Sequence, residues 1–111
     1  MSDQTLSQQS IKIATKVITS NAEHCELLEL KLDSEVLHRL AKEFSANPNL
    51  SFLKQIDHDW GMFAGELELM RNSCQSTLDD DELDILTSLE ILELENTIKE
   101  CESLLNKLGL D

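Results

Sequence analysis

Apolar residues recur at alternating gaps of three and four along almost the whole chain, and this regularity restricts the fold more than any short motif. Near the N-terminus it runs through Ile11, Ala14, Ile18, Asn21, Cys25, Leu28 and Leu32, with Asn21 the one polar member. In the middle it runs through Leu53, Ile56, Trp60, Phe63, Leu67, Met70 and Cys74. Near the C-terminus it runs through Ile91, Leu94, Ile98, Cys101, Leu105 and Leu108. Side chains spaced this way line one stripe of an α-helix. Only three glycines and one proline punctuate 111 residues, which favours long helices over a sheet with many turns. Long segments with short connections pack most simply as antiparallel neighbours. The expected fold is all-α: an antiparallel helical bundle of three long helices and one short one, in a single domain over residues 1–111 with residues 1–5 frayed.

The first long helix is expected over residues 6–32, unbroken because the stripe stays in phase across Asn21. A lone Asn in such a seam commonly sets register or partner choice. The alternative is a fresh start at Ser20, with Glu23 completing a capping box. Asp33 or Ser34 is then the expected cap of a short helix over 35–45, stopped by Ala46-Asn47-Pro48-Asn49 because proline cannot continue the helical ladder. A second long helix is expected over 51–76. It contains Gly61 and Gly65, one turn apart, at a combined cost of about 2 kcal/mol in helix propensity. Two glycines so placed leave a flat strip for close approach of another backbone, either a helix of the same chain or a second protein. Residues 75–78 are the expected turn into the last helix, which spans 79–109. Its acids Asp79, Asp80, Asp81 and Glu82 suit a helix start, and Gly109 suits a left-handed stop.

Charge is the second constraint. The net charge is −13, and residues 57–100 contribute −11 of it, whereas residues 1–56 contribute −1. Such a polyanion cannot neutralise phosphates, so direct binding to nucleic acid is not expected. Anionic membrane surfaces repel it as well, and no apolar run is long enough to span a bilayer. A partner protein with a basic surface is the natural complement. The polar start Met1-Ser2-Asp3-Gln4-Thr5 does not resemble a secretory signal, so the default location is the cytoplasm. Cys25, Cys74 and Cys101 are odd in number and widely spaced, which suits neither a disulfide framework nor a zinc motif. Each sits on the apolar stripe and reads as a small buried hydrophobe.

Catalytic chemistry finds little support. Glu35-x-x-His38 is one Glu-x-x-His pair, and the carboxylate-bridged metal sites of helical bundles use two such pairs. Asp57-His58-Asp59 and His24-Cys25 are adjacent residues, whose side chains diverge by about 100° on a helix and do not converge on a substrate. Phosphate loops, nucleophile turns and paired-cysteine motifs are absent. The chain reads as a non-enzyme without cofactor or metal.

The candidate partner-binding feature is a second apolar stripe. Ile85, Leu89 and Leu92 fall nearly opposite the main stripe of the last helix, amid Asp79, Asp80, Asp81, Glu82, Asp84, Glu93 and Glu95. One explanation is central placement of that helix, with the short helix covering its far side. The other is an exposed apolar centre with a charged rim, which is the anatomy of an interface. The expected function is a protein-binding module: an adaptor, co-chaperone or complex subunit. The alternative is an inhibitor that mimics nucleic acid, of the anti-restriction, anti-CRISPR or antitoxin kind, with carboxylates standing where phosphates would sit. A homodimer through the less charged first half is compatible with both.

Overall fold

Local capping decides where each helix begins and ends. The structure, a computed structural model, describes residues 6–80 and 85–109. Ser7 starts the first helix, α1 (Gln8–Leu27), its hydroxyl accepting the Ser10 N–H at 3.0 Å. The helix runs unbroken through Asn21, as the phase of the stripe requires. The Asn21 side chain is half-buried, and its Nδ2 donates to the Val17 carbonyl at 3.0 Å, within its own helix. Ile13, Ala14, Val17, Ile18 and Ala22 form the buried side.

The expected continuation of α1 to residue 32 does not occur. Glu29 is left-handed (φ 63°). The Glu29 N–H reaches the Glu26 carbonyl at 3.0 Å and the Leu30 N–H reaches the Cys25 carbonyl at 2.8 Å. That pair of bonds is a Schellman closure, which satisfies the last carbonyls of the helix. Glutamate takes the position where glycine is usual, so no glycine marks the stop in the sequence. Helix α2 (Lys31–Ala46) therefore starts earlier than expected. Asp33 and Ser34 lie inside its first turns and neither is its cap. It stops where expected, just before Pro48. Helices α1 and α2 pack together as a hairpin, with Leu37, Ala41 and Phe44 buried on α2.

The expected helix over 51–76 is two helices. Asn49 caps α3 (Leu50–Trp60) by accepting the Phe52 N–H at 2.8 Å. Gly61 closes α3 in the left-handed conformation (φ 61°), and α4 (Phe63–Asp79) follows after Met62. The Asp57 carboxylate accepts the Phe63 N–H at 3.1 Å, across the break. Met62 and Phe63 are both buried. A straight helix would carry residue 61 on in right-handed geometry, so the break is an active turn rather than a frayed end. Gly61→Ala should lower stability by about 1–2 kcal/mol, because a Cβ disfavours the left-handed conformation even where space is open. Urea unfolding of the variant measures this. The break also removes the expected glycine strip. Gly61 and Gly65 do not share a helix, and a Cβ at either would meet nothing within 4 Å among the described residues.

The last helix, α5 (Ser88–Leu108), is shorter than expected at its start. Thr87 and Glu90 form a capping box: the Glu90 N–H donates to Thr87 Oγ1 at 3.1 Å and the Thr87 N–H donates to Glu90 Oε1 at 2.9 Å. The acids at 79–82 thus do not open α5. Asp79 is the last residue of α4, and the expected turn at 75–78 is helical. Asp79 and Asp80 sit at the helix end where the dipole disfavours negative charge. Side-chain bonds from Gln75 to Asp79 (3.0 Å) and from Ser76 to Asp80 (3.3 Å) offset that. Asp81, Glu82, Leu83 and Asp84 fall outside the described residues. At the far end, Gly109 closes α5 in the expected left-handed conformation (φ 74°).

The described residues thus form five helices and no strand, so the class is all-α and the helix count is one more than expected. The chain divides into two compact units, Met1–Phe63 and Ala64–Asp111. In the first, Phe44 and Phe52 meet edge to face, with ring centroids 6.3 Å apart. In the second, the buried side of α5 consists of Cys101, Leu104, Leu105 and Leu108.

Candidate protein-interaction surface

Helix α5 buries only its C-terminal half deeply. Ile91, Leu94 and Ile98 of the expected main stripe are half-buried, whereas Cys101, Leu105 and Leu108 are buried. On the opposite side of its first turns, Leu89 is 65% exposed and Leu92 is 52% exposed. With Glu93 they occupy positions i, i+3 and i+4, a continuous strip of helix surface. Ile85, also exposed, lies before the helix begins and is not part of its stripe.

Acids surround this strip. Residues 64–111 hold thirteen acids and three bases, a net charge of −10. Glu93 and Glu95 are exposed beside the leucines. A shallow groove of about 350 Å³ runs alongside, lined by Thr77 and Leu86, by Leu94 and Thr97, and by the Glu90 and Glu93 carboxylates. Some acids already have local roles. Glu90 closes the capping box, and Glu102 pairs with Arg71 of α4 at 2.8 Å. That pair is exposed on both sides, so it contributes about 1 kcal/mol or less.

The structure also places apolar surface where sequence periodicity points elsewhere. Leu27, Leu28, Leu30 and Leu32 are all exposed, clustered at the turn between α1 and α2. Two of them belong to the expected helical seam, and the early stop of α1 removes both from it. The readable signal is the alternation of Leu28, Leu30 and Leu32, a period of two that no single helix can bury on one side.

The residues considered for chemistry stay apart. Asp57 is occupied by the Phe63 N–H. His58 Nδ1 lies 3.4 Å from Asp59 at the exposed end of α3. Glu35 is exposed and His38 half-buried. Among the described residues, no group of three or more His, Cys, Asp or Glu side chains could hold a metal ion. No described helix is long and apolar enough to cross a membrane.

Of the cysteines, Cys101 is buried, and Cys25 and Cys74 are half-buried. Burial pushes the Cys101 thiol up from 9.0 to about 11, with Cys74 and Glu102 adding to the effect. The folded state thus favours the neutral thiol. Its stabilisation is intact below pH 9.0 and is lost as pH rises toward about 11. The full effect is about 2–3 kcal/mol. Cys101→Ala should lack this alkaline loss, which parallel urea titrations of the two proteins would reveal. Comparison of the chain with protein-family models, curated protein sequences and solved structures finds no match.

Proposed function

We propose that this chain is a non-enzymatic, cytoplasmic protein-binding module, an adaptor, co-chaperone or complex subunit, that engages a partner with a basic surface through the outer side of α5. One observation supports this above the others: Leu89 and Leu92 stand more than half exposed in the part of the chain with a net charge of −10. Removing such leucines from water supplies the apolar centre of a contact at about 25 cal/mol per Å². The flanking acids steer a basic partner toward it and discriminate against acidic ones.

The nucleic-acid-mimic reading predicts a different balance, in which the carboxylates dominate and the leucines are incidental. Glu90 and Glu102 weigh against it, because both are engaged inside the fold. Salt separates the two readings. Charge attraction between exposed groups is screened over about 10 Å at 0.1 M salt and about 3 Å at 1 M. In a nuclease-treated pull-down with the tagged chain, an apolar contact retains its partner in high salt. A mimic captures basic nucleic-acid-binding proteins in low salt and releases them in high salt. The second pattern would refute the module reading.

A further inference from the structure

A second surface, in the first unit and independent of the α5 strip, has a different chemistry. Phe52, Ile56 and Trp60 follow one another at four-residue spacing along α3, and Leu40 of α2 faces them. Together they form a mainly apolar groove of about 400 Å³, open along its length. Phe52, Trp60 and Leu40 are each half-buried, so each offers surface to a visitor. At the Trp60 end the rim holds one carboxylate, Asp59. Gln55 Nε2 donates to Asp59 Oδ1 at 3.0 Å, and His58 lies 3.4 Å from the same oxygen. These contacts, that of Gln55 first, hold the Asp59 carboxyl below its ordinary range, so the group is an anion in neutral solution. Its second oxygen accepts no hydrogen bond from the described residues.

Trp60 and the Asp59 carboxylate both line one end of the apolar trough, and an aromatic ring with a carboxylate suits a cation carried on an apolar body. The trough spans two turns of α3, about 12 Å at 1.5 Å per residue. A small molecule in its own pocket loses most of its surface to the protein, and an open trough cannot provide that. A helix laid in a groove needs only one side covered.

We propose that this groove docks a basic amphipathic helix of a partner protein. An aliphatic side chain of that helix lies on Leu40 and Phe52. A lysine or arginine one turn further along rests on Trp60 and pairs with Asp59. Residues 1–63 hold nine acids and six bases, a net charge of −3, so the preference for a basic segment comes from Asp59 at the rim and only weakly from the unit around it.

Trp60 is the only tryptophan and there is no tyrosine, so intrinsic fluorescence reports on this groove directly. The probe is a capped helical peptide of about four turns, with leucines on one side and lysine one turn beyond the last of them. It should shift Trp60 emission saturably. A counterpart with glutamate for lysine, one with alanine for leucine, and the lysine peptide on Asp59→Asn should each bind about tenfold more weakly or worse. Asp59 is exposed, so Asp59→Asn leaves the fold intact. Three results would overturn the proposal. The first is no saturable shift up to about 1 mM lysine peptide. The second is equal binding of the alanine peptide, which means diffuse charge attraction alone. The third is hexylammonium binding as tightly as the peptide, which means a small-molecule site.

Discussion

Phe44→Ala should lower the free energy of unfolding by about 3–5 kcal/mol. Phe44 is fully buried on the inner side of α2, and its ring meets that of Phe52 edge to face at an interplanar angle of 67°. Truncation removes the transfer energy of the ring and leaves a cavity that the helices cannot fully collapse. The lost aromatic pair adds about 0.5–1.5 kcal/mol to that penalty. Small domains are stable by only about 5–15 kcal/mol, so the variant should sit close to its folding threshold. Urea titration followed by far-ultraviolet circular dichroism measures the change. Leu27→Ala is the matched control, because Leu27 is 82% exposed and its truncation should change stability by no more than about 0.5 kcal/mol. A Phe44→Ala loss as small as the control's would mean that Phe44 is not a core residue.

Leu89→Asp should weaken partner binding at least thirtyfold, a loss of about 2 kcal/mol or more, while leaving the fold intact. The two halves of that expectation have different physical origins. Leu89 is largely exposed in the isolated chain, so an aspartate there loses no internal packing and keeps its water. In a complex the same carboxylate would sit in the dry centre of the contact, where an unpaired charge is strongly disfavoured. Leu89→Ala should give a smaller loss, since it removes apolar area without burying a charge. Calorimetry with the retained partner, alongside thermal unfolding of the variant alone, separates binding from folding. Normal binding by a well-folded Leu89→Asp protein would remove the α5 strip from the interface.

Part of the candidate surface was legible in the sequence. That Leu89 and Leu92 lie off the main stripe was readable, but the sequence left a covering helix and an exposed patch equally open, and their exposure is read only from the folded chain. Ile85 seemed to extend the second stripe only while residues 79–109 read as one helix. Four consecutive acids resemble a helix start, but Thr87 with Glu90 three residues on is a stronger signal, because reciprocal hydrogen bonds satisfy two backbone donors at once. The leucine cluster at 27–32 was hidden by the same reasoning, since residues 28 and 32 kept the helical phase although the chain had already turned. The trough beside Trp60 lay beyond periodicity altogether. Leu40 and Trp60 are twenty positions apart, and only the folded backbone sets them around one space.

By itself the sequence determined that the chain is helical, that α2 stops before Pro48, that α5 stops at Gly109 and that the negative charge gathers in the second half. Each is local or additive: helical phase repeats every few residues, proline and glycine act on their own dihedrals, and charge sums. Only the tertiary structure decided that Gly61 breaks a stripe that stays in phase on both sides, and that Glu29 adopts a conformation which glycine usually fills. The same residues could continue a helix in isolation. Burial of Met62 and Phe63 beyond Gly61, and packing of α1 against α2 around Glu29, reward the turn more than the unbroken helix, and no window of sequence contains those distant partners.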